Sequence, residues 1–221
     1  TGRISHSQLF VGQAGAGNLP LALAYAQYLM CPHKPDGDAC GVCPSCKKIS
    51  KGIHPDMHYV FPVARVKKSA RPVSDSYIEE WRKFLSEKPY GNLNDWLAYL
   101  GTENQQAGIF AEESQEIYRK LSLKTYEGGY KIMLIWLAEK MNPSAANKLL
   151  KILEEPSENT VFLLIAESTE RMLPTILSRT QMLKMPRIGQ EALAGALAAR
   201  HHLGTQQAAD LARSAGGNYR Q

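Results

Sequence analysis

The chain has 221 residues, of which 44% are hydrophobic and 21% charged, a balance that favours a folded globular protein over a disordered one. No run of about 18 apolar residues occurs, so the sequence predicts no membrane-spanning helix. The net charge of +5 permits contact with nucleic acid without requiring it, because the basic residues are scattered and their densest run (Arg65, Lys67, Lys68 and Arg71) is typical of a solvated loop.

The chain begins with a predicted strand, a glycine-rich turn and a helix. Gln8–Val11 is apolar, Gly12–Gly17 follows it, and Leu19–Leu29 has the apolar spacing of a helix that tolerates Pro20 in its first turn. This order is that of a P-loop, whose backbone N–H groups hold phosphate. A plain tight turn between strand and helix is the alternative, because glycine-rich turns are common.

The residues of the turn depart from a working P-loop. A working loop ends in Gly-Lys followed by Ser or Thr, because the lysine neutralises phosphate charge and the hydroxyl binds Mg²⁺. Here Gly12, Gly15 and Gly17 are in register, but Asn18 replaces the lysine and Leu19 replaces the hydroxyl residue. The sequence therefore predicts a degenerate nucleotide site.

Four cysteines follow the first helix in the spacing C-x8-C-x2-C-x2-C. They are Cys31, Cys40, Cys43 and Cys46. Four thiolates satisfy the tetrahedral preference of Zn²⁺, and the turn-forming residues between them suit a knuckle. Such clustering indicates a metal in a reducing compartment rather than a secreted disulfide framework, with a redox dithiol as the alternative. We predict a closed, structural zinc site in a module of about residues 31–55.

The stretch from 64 to about 108 has the composition of an irregular insertion. It contains two helix candidates, Ser76–Glu87 and Leu93–Leu100. The sequence does not show the role of this stretch, which contains Trp81, Trp96 and the basic run, and a partner surface is one alternative.

Strands and helices alternate through the remaining core. Tyr130–Trp136 and Thr160–Ala166 are continuous apolar runs, as expected of strands buried on both faces. The other strand candidates are Met57–Phe61 and Gln181–Met185, and the other helix candidates are Glu112–Leu123, Asn142–Leu153 and Leu173–Arg179. This alternation predicts an α/β fold with a parallel sheet flanked by helices.

The strand that ends at Trp136 gives a second indication about the nucleotide site. An active enzyme places Asp-Glu there, for Mg²⁺ and for activating water, whereas this chain has Trp136 and Leu137. Glu139 comes two residues late and is expected to point elsewhere. Loss of the lysine, the hydroxyl and both acids removes most of the electrostatic stabilisation that phosphoryl transfer needs. An active ATPase with an atypical loop stays open as an alternative.

The composition changes after Pro186, where the chain becomes rich in alanine. Gln190–Arg200 and Thr205–Ser214 are predicted helices. We therefore expect a core over residues 1–185 and part of a small helical lid domain over 186–221.

Several motifs together resemble one family. Asn147–Pro156 and Leu173–Arg179 closely resemble the AAA+ clamp-loader subunits of bacterial DNA polymerase III. Tyr126–Lys131 and the cysteine cluster look like the same family, and the resemblance covers roughly 1–62 and 109–221. It implies an AAA+ P-loop fold with an inserted zinc knuckle. Within the family, the altered loop implies the non-hydrolysing stator type of subunit rather than the ATP-hydrolysing tau/gamma type.

The resemblance also assigns roles to individual residues. Arg179, in Ser-Arg-Thr, matches the family's arginine finger, which would reach the ATP site of a neighbouring subunit. Thr180 departs from the usual cysteine of that motif. Ser168 falls near the sensor-1 position and Arg220 near the sensor-2 position, both expected to be vestigial.

The partners implied by the resemblance are the tau/gamma and delta subunits and, indirectly, the sliding clamp and primer-template DNA, in the bacterial cytoplasm. The family's C-terminal collar domain is expected to lie outside this sequence, so a monomer is expected. A zinc-dependent DNA-binding module is the remaining alternative. The knuckle carries lysines for it (Lys34, Lys47, Lys48 and Lys51), although Asp36 and Asp38 lie among them and no stacking aromatic does.

Overall fold

The computed structural model describes residues 4–64 and 72–220, so the basic run Arg65–Arg71 lies outside the described residues. The strands are β1 (Ser7–Val11), β2 (Met57–Val60), β3 (Val63–Ala64), β4 (Ala107–Gly108), β5 (Lys131–Trp136), β6 (Thr160–Ala166) and β7 (Gln181–Lys184). Within the described residues, a parallel sheet runs in the order β2-β5-β6-β1-β7. The short strands β3 and β4 pair antiparallel beside it.

Helices flank the sheet, and two more follow its last strand. They are α1 (Asn18–Met30), α2 (Pro44–Ser50), α3 (Ile78–Glu87), α4 (Leu93–Tyr99), α5 (Ala111–Ser122), α6 (Pro143–Glu154), α7 (Pro174–Leu177), α8 (Gln190–His201) and α9 (Thr205–Ala215). Two buried clusters lie against the sheet, one with α1, α3 and α4 and the other with α5, α6 and α7. The predicted α/β class is thereby confirmed. None of the helices in the described ranges is long and apolar enough to cross a membrane.

Local sequence accounts for the central strands and their helices. All residues of β5 and β6 are buried, which matches their continuous apolar sequence. The side chain of Asn142 caps α6 by accepting the backbone N–H of Ala145 at 2.7 Å, and Pro143 occupies the first turn. The predicted strand over Thr160–Ala166 is confirmed residue for residue.

The segment expected to be an irregular insertion is part of the core. The predicted helices form as α3 and α4, but Trp81, Phe84 and Trp96 are each 0% exposed. The two tryptophans are therefore core residues that contribute to no exposed partner surface. A partner role for the stretch as a whole stays a prediction. The ring of Trp81 stacks on Phe61, with 4.3 Å between ring centroids, and the indole N–H of Trp96 donates to the carbonyl of Pro62 at 2.8 Å. Burial of such large aromatic side chains makes this segment a major source of stability.

The two helices after β7 pack against one another. Leu193 of α8 and Ala208 and Ala212 of α9 are buried between them. The backbone N–H of Ile188 donates to the carbonyl of Gly217 at 3.1 Å. This hydrogen bond joins the segment before α8 to the segment after α9. The division of the chain near residue 186 stays a prediction.

Candidate functional site

The glycine-rich turn connects β1 to α1 at the carboxyl edge of the sheet. Gly15 and Gly17 have φ angles of 81° and 91°, a left-handed conformation that glycine adopts without strain. The buried side chain of Asn18 folds back and its amide donates to the carbonyl of Gly12. Leu19 is buried in the core below. An asparagine bonded to its own loop therefore takes the position of the lysine in a working loop. A buried apolar side chain takes the position of the hydroxyl residue.

The end of β5 is equally altered. Trp136 is 3% exposed, and its ring centroid lies 5.1 Å from that of Trp81 and 5.7 Å from that of Phe84. Leu137 is buried and has a left-handed backbone, with φ 55°. The positions that would carry Mg²⁺-binding and water-activating acids thus belong to an aromatic and aliphatic core.

Glu139 lies just beyond these positions and is buried. Its Oε1 accepts the backbone N–H of Glu167 at 3.1 Å, and among the described residues its Oε2 has no hydrogen-bond partner. Burial raises the pKa of the Glu139 carboxyl to about 7. The carboxyl therefore faces the end of β6. That it points elsewhere than the usual acid position stays a prediction.

The space above the loop is almost filled. A cavity of about 20 Å³ remains between the loop, the end of β5 and the turn Pro89–Gly91. Nucleotide-sized ligands occupy sites of roughly 300–1,000 Å³. Sequence reasoning missed the contribution of this turn, because nothing local in Pro-Tyr-Gly signals contact with a loop about 70 residues earlier in the chain.

The two candidate sensor residues have protein partners. The hydroxyl of Ser168 accepts the backbone N–H of Glu170 at 3.2 Å, within its own loop. Arg220 forms a two-point ion pair with Asp95, at 2.6 Å and 3.3 Å. This pairing lowers the pKa of the Asp95 carboxyl.

The four predicted cysteine ligands converge at one point. All four sulfurs lie within 4.8 Å of one another. The Sγ of Cys31 is 3.6 Å from that of Cys40 and 3.9 Å from that of Cys43. Four sulfurs bound to zinc at about 2.3 Å would stand about 3.8 Å apart at tetrahedral angles. The donor set and its spacing therefore fit a tetrahedral metal, and the cysteines are free of disulfides.

Backbone geometry orders the cysteine cluster. Cys31 ends α1, and Cys43 caps α2, where its sulfur accepts the backbone N–H of Cys46 at 3.4 Å. Two lysines of the module are engaged within the chain: Lys34 donates to the carbonyl of Cys31 at 2.7 Å, and Lys48 pairs with Glu127. These contacts reduce the basic surface that a DNA-binding knuckle would present.

Arg179 follows α7, which packs in the buried cluster opposite the one that contains α1. Its side chain is 35% exposed and pairs with Glu154 at the end of α6. It also donates to the carbonyl of Thr175 at 3.0 Å. The guanidinium is accessible from outside the chain, and the Glu154 carboxylate and the Thr175 carbonyl orient it.

Comparisons with known proteins agree on one family. A sequence model described as DNA polymerase III, delta subunit, matches residues 1–189. The DNA polymerase III subunit delta' of Bacillus subtilis is 32% identical over 181 residues, covering 82% of this chain and 42% of that protein. The corresponding subunit of Pseudomonas aeruginosa is 33% identical over 175 residues, covering 79% and 41%. The chain thus spans less than half the length of these relatives.

More distant similarities extend the comparison. The gamma/tau subunit of DNA polymerase III from Mycobacterium bovis is 26% identical over 179 residues, covering 81% of this chain and 24% of that protein. Among solved structures, a variant of RuvB from Thermotoga maritima aligns over 97% of this chain and 51% of its own, with a TM-score of 0.51 and 12% identity. At that identity the likeness concerns the fold alone.

Proposed function

This chain belongs to the DNA polymerase III delta prime subunit family, and from that premise we propose that it acts as a non-hydrolysing subunit of a sliding-clamp loader. In this role it is a stator in the loader ring. Its chemical contribution is Arg179, which serves the ATP site of a neighbouring subunit.

The observation that carries the proposal is the state of the nucleotide site. Asn18 bonds to its own loop, Trp136 and Leu137 are buried in the core, and the remaining cavity is about 20 Å³. Phosphoryl transfer depends on charges placed around the phosphates, and these positions supply none. The same facts weigh against an active ATPase with an atypical loop.

The proposed role of Arg179 is supported by its exposure and its surroundings. A cation supplied in trans stabilises charge on the transferring phosphate only if its side chain can extend from its own subunit into the neighbouring ATP site. The ion pair with Glu154 is partly exposed on both sides, so it contributes little stability and can be exchanged for a phosphate.

We infer that the cysteine cluster binds a structural Zn²⁺. The residues that would hold it are Cys31, Cys40, Cys43 and Cys46, whose sulfurs all lie within 4.8 Å of one another. Such an ion would replace the hydrophobic core that a module of this size lacks. With four protein ligands the site has no open position for catalysis.

The proposed partners are the tau/gamma and delta subunits, and through them the sliding clamp and primer-template DNA. The proposed location is the bacterial cytoplasm. The names of the relatives support this assignment, since both delta prime and gamma/tau subunits are similar to this chain.

The proposal is tested by Arg179→Ala in a clamp loader reconstituted from full-length subunits. DNA-stimulated ATP turnover should fall by about twofold or more, because one ATP site loses a cation that can be worth about 10³-fold there. Arg171→Ala is the matched control, since Arg171 is exposed eight residues earlier in the same segment. Equal turnover in the two variants and the unaltered loader would refute the role of Arg179.

A further inference from the structure

The degenerate nucleotide site is closed by two segments that are far apart in sequence. One is the turn Pro89–Gly91 with the start of α4, and the other is the segment Asn218–Arg220 that follows α9. We propose that these segments form a clamp within this chain, which is unrelated to the sliding clamp and is defined here as Tyr90, Asp95, Tyr219 and Arg220. The clamp fixes α8 and α9 against the core without any nucleotide.

The first contact of the clamp is made on the loop itself. The backbone N–H of Tyr219 donates to the carbonyl of Gly15 at 3.1 Å. A Cβ added to Gly15 would lie 1.7 Å from Oδ1 of Asn218, so the C-terminal segment sits directly on the glycine. The loop's backbone therefore binds protein where a phosphate-binding loop would be open.

The second contact joins two aromatic rings. The ring centroids of Tyr90 and Tyr219 are 4.4 Å apart, with 32° between the ring planes. Tyr90 also covers the loop, since a Cβ on Gly17 would lie 3.5 Å from its ring. Aromatic pairs of this kind contribute beyond the area that they bury.

The third contact is the ion pair between Asp95 and Arg220. Its two hydrogen bonds, at 2.6 Å and 3.3 Å, hold the planar guanidinium against the carboxylate. Asp95 is rigid for a second reason: its side chain accepts the backbone N–H of Asn92 at 2.9 Å and caps α4. Arg220 is thus anchored on a preorganised partner in the core.

The clamp is supported by the altered end of β5. Trp136 packs on Trp81 and Phe84 of α3, and the chain leaving α3 passes over Phe84 at Gly91. A Cβ at Gly91 would lie 2.7 Å from the Phe84 ring, so only glycine fits this passage. A carboxylate at position 136 would be buried among these rings without a partner. The loss of the acid and the placement of the turn therefore fit one another.

Hydrogen exchange of the whole chain tests the clamp. Arg220→Ala should speed amide exchange in residues 12–19 and 205–220 by about threefold or more. A part-exposed ion pair opposes local opening by a free energy that corresponds to a factor of about this size. Asp95→Asn should do the same, and its amide oxygen can still cap α4. The matched controls are Arg213→Ala and Asp210→Asn, which break an ion pair internal to α9.

Two outcomes of this comparison would overturn the clamp. One is amide exchange that is unchanged in Arg220→Ala, and the other is exchange that increases equally in Arg213→Ala. If Asp95→Asn unfolds α4, Arg220→Ala still decides, because it lies outside that segment.

Addition of millimolar MgATP to the unaltered chain gives a second readout. It should leave exchange in residues 12–19 unchanged, since the clamp already occupies the loop. Protection by MgATP would mean that the site opens to nucleotide and would contradict the clamp. The clamp does not rest on Arg179, so failure of the finger proposal would leave these results standing.

Discussion

Glu139 is the acid nearest in sequence to the positions where an ATPase would carry its catalytic pair. Its carboxyl is buried, and one oxygen accepts the backbone N–H of Glu167. Burial raises its pKa to about 7 from an ordinary value of 4.5. The folded chain therefore binds this proton more tightly than the unfolded chain does, and the associated stability is full below about pH 4.5 and is lost as the pH rises through about 7.

We predict that Glu139→Gln stabilises the chain above pH 7. Because the glutamine cannot ionise, the gain in free energy of unfolding at pH 8 should be on the order of 1–3 kcal/mol and should shrink towards pH 5. Urea denaturation at several pH values measures it. Glu158→Gln, at an exposed position, should show no such trend. A Glu139→Gln chain that is less stable at every pH would contradict the role of burial.

At the scale of elements, the cysteine module depends on its proposed metal. The helix α2 has only seven residues and buries Ser45, Cys46 and Ile49. So short a helix is marginal in water by itself. The cysteine sulfurs connect it to the end of α1, together with the buried side chain of Ile49 and a hydrogen bond from the Ser45 hydroxyl to the carbonyl of Met30 at 3.2 Å.

We predict that metal removal loosens the module while leaving the sheet folded. Treatment with a strong chelator should release about one equivalent of zinc and raise amide exchange in residues 40–50 by on the order of tenfold or more, with little change in β5 and β6. Cys43→Ser should behave like the chelated chain. Less than about half an equivalent of metal in freshly purified protein would count against the zinc site.

At the scale of the whole molecule, local pattern predicted most elements but few of the contacts between them. The strands β5 and β6 were predictable because burial on both faces leaves a continuous apolar sequence. The cysteine cluster was predictable because its ligands are close in sequence. The helix α2 was missed, since a cysteine caps it and its seven residues show no clear periodicity.

The insertion was the main element whose place could not be predicted. Trp81 and Trp96 pack against residues from distant parts of the chain, and nothing local distinguishes such packing from a partner surface. The same holds for the clamp: Asp95 and Arg220 are 125 residues apart, so their ion pair leaves no spacing signal. In both cases the contacts form between residues that are distant in the sequence, so local sequence patterns do not reveal them.

The central claim is that this chain does not hydrolyse ATP, and phosphate release tests it most directly. With MgATP, the purified chain and its Glu139→Ala variant should both release phosphate at the rate of protein-free buffer, because the loop and the end of β5 supply no catalytic charge. Turnover above that rate that disappears in Glu139→Ala would contradict the claim.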